Sequence, residues 1–122
     1  MRAPSLELER RRPVWGALSD LFLDAELQPE DHRRIARVLA ASGYSEPELE
    51  QILRSEVGPV LLPNLLSIAG EWAGFDLGWL EAEILRGERR RWLRWLPGAL
   101  TAKVVRHDWA CVRTLLATGS AP

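Results

Sequence analysis

The sequence predicts an all-α protein, folded as a compact single-domain bundle of about six to seven helices. Apolar residues recur at spacings of three and four along most of the chain, which is the period of a helix with one buried side. Proline and glycine fall where such helices begin and end, and no turn signal joins two alternating segments into a β-hairpin. With 122 residues, 47% of them apolar, the chain is long enough for one domain with a substantial core.

The first two helices are predicted from their proline and glycine boundaries. A helix over about residues 13–24 follows from Pro13, since proline suits a first helical turn, and from the apolar residues that come after it at helical spacing. Pro29 then opens a second helix, with acidic residues in its first turn, and Gly43 lies just past its end.

The middle of the chain combines a clear helix start with an irregular stretch. Ser45 and Glu48 have the spacing of a capping box, which predicts a third helix that extends to about Val57. Prolines and glycines interrupt the pattern afterwards, so residues 57–76 are predicted to be irregular, with a short buried helix that ends near Ser67.

Three further helical segments are predicted in the last part of the chain. Asp76 is the expected N-cap of the first, which stops or bends at Gly87; its predicted inward residues are Trp79, Leu80, Ile84 and Leu85. A basic stretch continues as helix to Pro97. The last helix is expected from about Ala99 to Ala117, with an apolar side formed by Leu100, Val104, Trp109, Val112, Leu115 and Leu116.

The predicted domain boundaries follow from these elements. Residues 1–12 read as a flexible basic arm, residues 13–118 as the helical domain, and residues 119–122 as a disordered tail. No window is apolar enough to predict a membrane span. The single cysteine, Cys111, cannot form an internal disulfide, and this fits a reducing, cytoplasmic location.

Charge is distributed unevenly along the chain. Residues 24–83 contain twelve acidic residues and four arginines, a net charge of −8, whereas residues 86–113 contain eight basic and two acidic residues, a net charge of +6. The basic part either packs on the acidic body or leaves a bipolar surface that offers an acidic face to a partner. The first candidate for that partner-binding surface is the third helix, with Glu46, Glu48, Glu50 and Glu56.

A second candidate site lies in the stretch NLLSIAGEWAGFD. Glycines bracket its tryptophan where the helical period is interrupted, which indicates a tight backbone path. One interpretation is a buried turn of the backbone, in which the carboxylate of Glu71 has a structural role. The other is a recognition loop formed by Asn64, Glu71, Trp72 and Asp76.

The run RGERRRWLRWLPG predicts a basic amphipathic helix. Its tryptophans and leucines fall within one arc of a helical wheel, and the opposite side carries Arg86, Arg90, Arg91 and Arg94. Three interpretations of such a helix remain open. It buries its tryptophans in the parent domain, it docks on anionic lipid, or its arginines bind along a nucleic-acid backbone. The net charge of −1 disfavours the last two, because the acidic half repels phosphate polymers and anionic membranes.

The blocks PVWGALSDLFLDAEL, SGYSEPELEQIL and EVGPVLLPNLLSIAGEWAGFDLGWL resemble a family of small uncharacterised bacterial proteins that is classed as a domain of unknown function. The resemblance covers roughly residues 11–85. It implies a bacterial cytosolic protein, and it supplies no activity or catalytic residue.

No known catalytic motif is recognised, so the sequence favours a protein without enzymatic activity or cofactor. It contains no phosphate-binding glycine loop, no GxSxG and no HExxH. His107 and Cys111 share a helical face, but a closed metal site needs two further ligands, and no metal is predicted.

The leading functional hypothesis is a protein-interaction module. In one version it is an immunity-like or antitoxin-like protein that occludes a basic toxin. The alternative is a nucleic-acid-binding regulator that uses residues 86–106. A homo-oligomer is also compatible with six tryptophans in so short a chain.

Overall fold

A computed structural model of the chain describes residues 6–22, 26–65, 77–87 and 105–118. These residues contain six α-helices and no strand, which confirms the predicted all-α class. None of these helices combines the length and the apolar character that crossing a membrane requires. The helices are α1 (Leu8–Ser19), α2 (Pro29–Ala41), α3 (Glu46–Ile52), α4 (Gly58–Leu65), α5 (Leu77–Gly87) and α6 (Arg106–Thr118).

Helix α1 begins five residues before the predicted start at Pro13. Residues 8–12 are therefore part of the folded domain, and their prediction as a flexible arm is wrong. The physical reason is the side chain of Arg11, which is fully buried and pairs with Glu56, 45 residues away in the sequence. After Ser19, a single 3-10 turn continues to Phe22.

The starts of α2 and α3 follow the predicted capping signals. Pro29 occupies the first turn of α2, and the carboxylate of Asp31 accepts a hydrogen bond from the Gln28 N–H at 2.9 Å. At α3, the Ser45 N–H donates to Glu48 at 2.9 Å, and the Glu48 N–H donates to the Ser45 hydroxyl at 3.3 Å. These contacts satisfy amide groups that have no partner inside the helix.

Helices α3 and α4 are continuous, because one turn of π-helix (Leu53–Val57) joins them. The predicted short helix in this stretch is present as α4, but it continues α3 without an irregular break at Gly58 and Pro59. Residues 66–76 lie outside the described part of the chain. In a regular α-helix the ring of Pro59 would collide with the carbonyl four residues earlier. The π turn, which places the Gly58 N–H on the Leu53 carbonyl, widens the helix directly before that proline.

The same π turn keeps α4 facing the core. Accommodating one extra residue changes the direction of the following side chains by about 100°, since an α-helix has 3.6 residues per turn. Leu61 is consequently 1% exposed, in line with the buried Leu49 and Ile52 of α3.

The core is formed by the inner faces of all six helices. Its largest fully buried apolar side chains include Trp15, Phe22, Ile35, Leu53, Leu80 and Ile84. Helix α1 packs against α2 and α5, and α6 packs along α2. Trp79 is 38% exposed, so its predicted inward position in α5 is wrong, whereas the predicted burial of Trp109 and Val112 in α6 is confirmed.

Candidate functional site

The candidate partner-binding surface lies where α3 meets α6. Arg113 of α6 reaches across to α3, with Nε 3.3 Å from Glu46 Oε1 and Nη1 3.3 Å from Glu50 Oε1. The indole N–H of Trp109 donates to the same Glu50 oxygen at 3.2 Å. Because Trp109 is buried and anchors this hydrogen bond in the core, Glu50 is held in a fixed position at the surface.

These carboxylates remain accessible despite their contacts. The side chains of Glu46 and Glu50 are 41% and 35% exposed, and that of Arg113 is 45% exposed. A carboxylate has about four acceptor positions, so each of the two glutamates can accept further donors from solvent or from a partner. We call Glu46 and Glu50 the acidic face of α3.

Glu48 caps the helix and does not share the acidic face, contrary to the sequence-based placement, because residues two positions apart on an α-helix do not lie on one side. Its hydrogen bond with the Ser45 backbone N–H holds the pKa of this carboxyl below its ordinary value, with a further contribution from the Ser45 hydroxyl. The group therefore stays ionised at neutral pH, at the positive end of the α3 dipole.

Glu56 does not lie on the acidic face, contrary to the sequence-based placement. The residue is 3% exposed and sits in the π turn, where it points into the core. Its Oε2 accepts from Arg11 Nη1 at 2.5 Å, and its Oε1 accepts from the indole N–H of Trp15 at 2.8 Å. A buried carboxylate needs such partners, because an unpaired charge in the interior costs several kcal/mol.

Arg11 connects Glu56 to two further polar side chains. Its Nε donates to the Tyr44 hydroxyl at 3.2 Å, its Nη2 lies 3.2 Å from Glu7 Oε1, and Tyr44 donates to that oxygen at 3.1 Å. We call Glu7, Arg11, Trp15, Tyr44 and Glu56 the buried network.

Opposing effects set the pKa values in the buried network. Burial acts to lower the pKa of Arg11, but the Tyr44 hydrogen bond and the charge of Glu56 outweigh it and raise the pKa. Burial likewise acts to raise the pKa of Glu7, and the hydrogen bonds from Tyr44 and Arg11 outweigh it and lower the pKa. Both groups are thus held in their charged forms.

The two other predicted sites are described only in part. Asn64 belongs to the helical backbone of α4 rather than to a loop, and Glu71, Trp72 and Asp76 lie outside the described residues. In the basic segment, Arg86 is in the last turn of α5, is 74% exposed and pairs with Glu83 at 2.8 Å. The remaining predicted members, Arg90, Arg91 and Arg94, also lie outside the described residues.

His32 of α2 contacts His107 of α6, and Cys111 lies one helical turn after His107. Nε2 of the buried His32 is 2.8 Å from Asp108 Oδ1. The His107 ring packs edge-on against His32 with ring centroids 6.4 Å apart, and its Nε2 lies 4.0 Å from Cys111 Sγ. Within the described ranges, no three such side chains in one chain are placed to hold a metal ion together.

Sequence reasoning missed the buried network and the contact between His32 and Asp108. A signal for the first was present: Arg11 stands three, four and seven residues before Val14, Trp15 and Leu18, so the apolar face of α1 continues through an arginine. No comparable local signal joins His32 to α6.

A comparison with the known protein families finds a match that covers most of the chain. A family model described as Domain of unknown function (DUF7079) matches residues 9–115. Neither the curated proteins nor the solved structures contain a match to the chain.

Proposed function

The chain belongs to the family of the domain of unknown function DUF7079, and on that premise we propose that it is a bacterial cytoplasmic protein that binds another protein without catalysing a reaction. The docking surface in this proposal is the acidic face of α3. The partner contributes lysine or arginine side chains, and in the version we favour it is a basic toxin that the domain occludes, as an immunity protein does.

The observation that carries the proposal is the fixed and exposed state of Glu46 and Glu50. Arg113 and Trp109 hold these carboxylates in place from α6, yet more than a third of each side chain is exposed. Side chains that are already ordered lose little conformational entropy on binding, so their contacts contribute more to affinity. Negative charge at such a surface also accelerates the encounter with a basic partner.

Affinity capture with a matched pair of variants tests the proposal. The first variant combines Glu46→Gln and Glu50→Gln and leaves the capping box of Ser45 and Glu48 intact. The control combines Glu26→Gln and Glu30→Gln, which removes the same number of charges from exposed positions outside α3.

We expect tagged wild type and control to retain the same partner in cells of the source bacterium, and the α3 variant to lose it. Calorimetry with the purified partner then gives a Kd that rises with salt concentration. Equal retention of the partner by the α3 variant rejects the acidic face as the docking surface.

A second candidate function is a nucleic-acid-binding regulator that uses the basic segment 86–106. One observation favours it: among the described residues, Arg33, Arg37 and Arg106 are exposed cations that make no ion pair. Binding of bulk DNA or RNA that weakens steeply as salt increases would support this function. The absence of binding at low salt eliminates it.

A further inference from the structure

We propose that the groove between α1 and α2 binds a small aliphatic amine. The ammonium group of the ligand contacts Glu9, and its alkyl chain lies on an apolar floor formed by Pro13, Val38 and Ala41. The groove does not include the acidic face of α3, so this site is independent of the protein partner proposed above.

The groove has the size of a site for a small molecule. Its volume is about 320 Å³ and its lining is largely apolar, formed by Glu9, Arg10, Pro13, Val38, Ala41 and Ser42. Sites for small molecules have volumes of about 300–1,000 Å³. A helix of a partner protein, about 10 Å across, is too wide for a groove of this volume, whereas a short alkyl chain fits it.

Glu9 carries an available negative charge at this groove, although arginines flank it on both sides. Arg10 lies 3.4 Å from Glu7 instead, and Arg12 pairs with Glu81 of α5 at 2.8 Å. Within the described part of the chain, the exposed Glu9 forms no ion pair. A cationic ligand therefore meets a carboxylate that has no competing cation bound to it.

Pro13 leaves a second acceptor at the same place. It lies inside α1, four residues after Glu9, and proline has no N–H with which to complete the helical hydrogen bond. The carbonyl of Glu9 therefore lacks its regular donor, and it points along the helix toward Pro13, which also lines the groove. An ammonium group has three donors, so it can bind this carbonyl and the Glu9 carboxylate together.

The other charged residue of the lining, Arg10, is already engaged. Its Nε donates to the Ser42 carbonyl at 2.8 Å, and its guanidinium lies 3.8 Å from the centre of the Tyr44 ring. A cation is favoured there, because the C-terminal end of α2 is the negative end of the helix dipole. An anionic ligand would have to compete with Glu7 for Arg10, whereas an amine finds Glu9 unpaired.

The test is an NMR titration of the isotope-labelled full chain with pentylamine as the probe. Like the lysine side chain, an alkylamine is protonated at neutral pH. We expect saturable shifts of the backbone amide signals of the residues that line the groove. Pentanol has the same alkyl chain without the charge, and pentanoate has the opposite charge. Neither is expected to produce saturable shifts at the concentrations that saturate with pentylamine.

Three variants separate the contributions to binding. Glu9→Gln keeps the size of the side chain and is expected to raise the Kd about fivefold, the size of an exposed charge pair. Pro13→Ala supplies the missing N–H to the Glu9 carbonyl and is expected to raise the Kd by a smaller factor, with the charge unchanged. Glu30→Gln is the control, because it removes a charge from an exposed position of α2 outside the groove, and its Kd is expected to equal that of wild type. Circular dichroism confirms that all three variants fold.

Four results overturn the proposal. These are an equal Kd for wild type and Glu9→Gln, saturable binding of pentanoate at these residues, and saturable shifts confined to residues outside the groove. The fourth is a shift of the same amide signals on raising the protein concentration without the probe, which would show that a second copy of the chain occupies the groove.

Discussion

The buried network and the acidic face of α3 are built from the same chemical groups at different depths. In each, an arginine bridges two glutamates and a tryptophan indole donates to one of them: Arg11 with Trp15 in the interior, Arg113 with Trp109 at the surface. The Arg11 side chain is fully buried, whereas that of Arg113 is 45% exposed.

This difference in burial gives the two arginine clusters different roles. Water cannot replace a lost partner of Arg11 or Glu56 in the interior, so the contacts between these two residues and Trp15 are needed for stability. At the surface, water or another molecule can replace any one of the contacts, and for this reason an exposed ion pair adds little stability. We therefore expect mutations in the buried network to affect folding, and mutations at the acidic face of α3 to affect binding.

The largest expected effect is that of Arg11→Met, which keeps much of the side-chain volume and removes the charge. Glu56 is then left buried without its cation, and removal of one partner of a buried pair costs about 3–5 kcal/mol. Urea unfolding followed by circular dichroism measures the loss. Arg12→Met is the control, since Arg12 is 46% exposed and pairs with Glu81 at the surface. A similar unfolding midpoint for both variants would contradict the assignment of Glu56 to the interior.

Trp15 and Trp109 are both buried, but they donate to carboxylates at different depths: Glu56 is buried and Glu50 is partly exposed. Trp15→Phe removes the donor of the buried Glu56 and is expected to cost about 1–3 kcal/mol, because an unsatisfied buried acceptor bears its full desolvation penalty. Trp109→Phe leaves a comparable cavity but removes the donor of Glu50, which water can reach, so we expect a smaller loss than for Trp15→Phe. Denaturant unfolding of the two variants side by side gives the difference, and an equal loss would show that depth does not separate the two clusters.

The sequence predicts those parts of the fold whose cause lies within a few residues. Ser45 and Glu48 predict the start of α3, and Gly43, with φ at 78°, marks the end of α2 as expected of a residue that tolerates positive φ. The helical period also identifies the buried Leu49, Ile52 and Val112.

The missed features depend on contacts between distant segments. Pro13 alone predicts a helix start, because proline fits that position, whereas α1 begins five residues earlier and includes Arg11, which pairs with Glu56. Similarly, Pro59 indicates a break, but the π turn absorbs the proline because Leu61 gains a buried position beyond it. The sequence places Glu56 at the surface because a charged residue is usually exposed. Its pairing with Arg11 in the interior is not predicted from the sequence.

Glu7 is expected to contribute to the pH dependence of stability, together with Asp31 and Glu48, whose pKa values are lowered by hydrogen bonds from backbone amides. Although burial alone would raise the pKa of Glu7, hydrogen bonds from Tyr44 and Arg11 outweigh that effect and hold the pKa below its ordinary value of 4.5. The contribution of a carboxyl with a lowered pKa is present above the unfolded-state value and is lost as pH falls through the folded-state value. We expect the Tm to fall as the solution is acidified below about pH 4.5, with a shallower slope in Tyr44→Phe. Identical slopes of Tm against pH in wild type and Tyr44→Phe would show that Glu7 does not contribute to the loss of stability in acid.

The smallest expected effect on stability belongs to Arg113→Gln, and it separates the two clusters most sharply. Exposed ion pairs contribute at most about 1 kcal/mol, and salt screens them. The change in unfolding free energy is therefore expected to be at most that size and to shrink further at high salt. The same substitution frees Glu46 and Glu50 from their shared cation while Trp109 continues to hold Glu50. If Arg113→Gln instead destabilises the protein as strongly as Arg11→Met, the contacts between α3 and α6 are part of the folding core. The acidic face is then needed for stability, and its proposed role as a docking surface is contradicted.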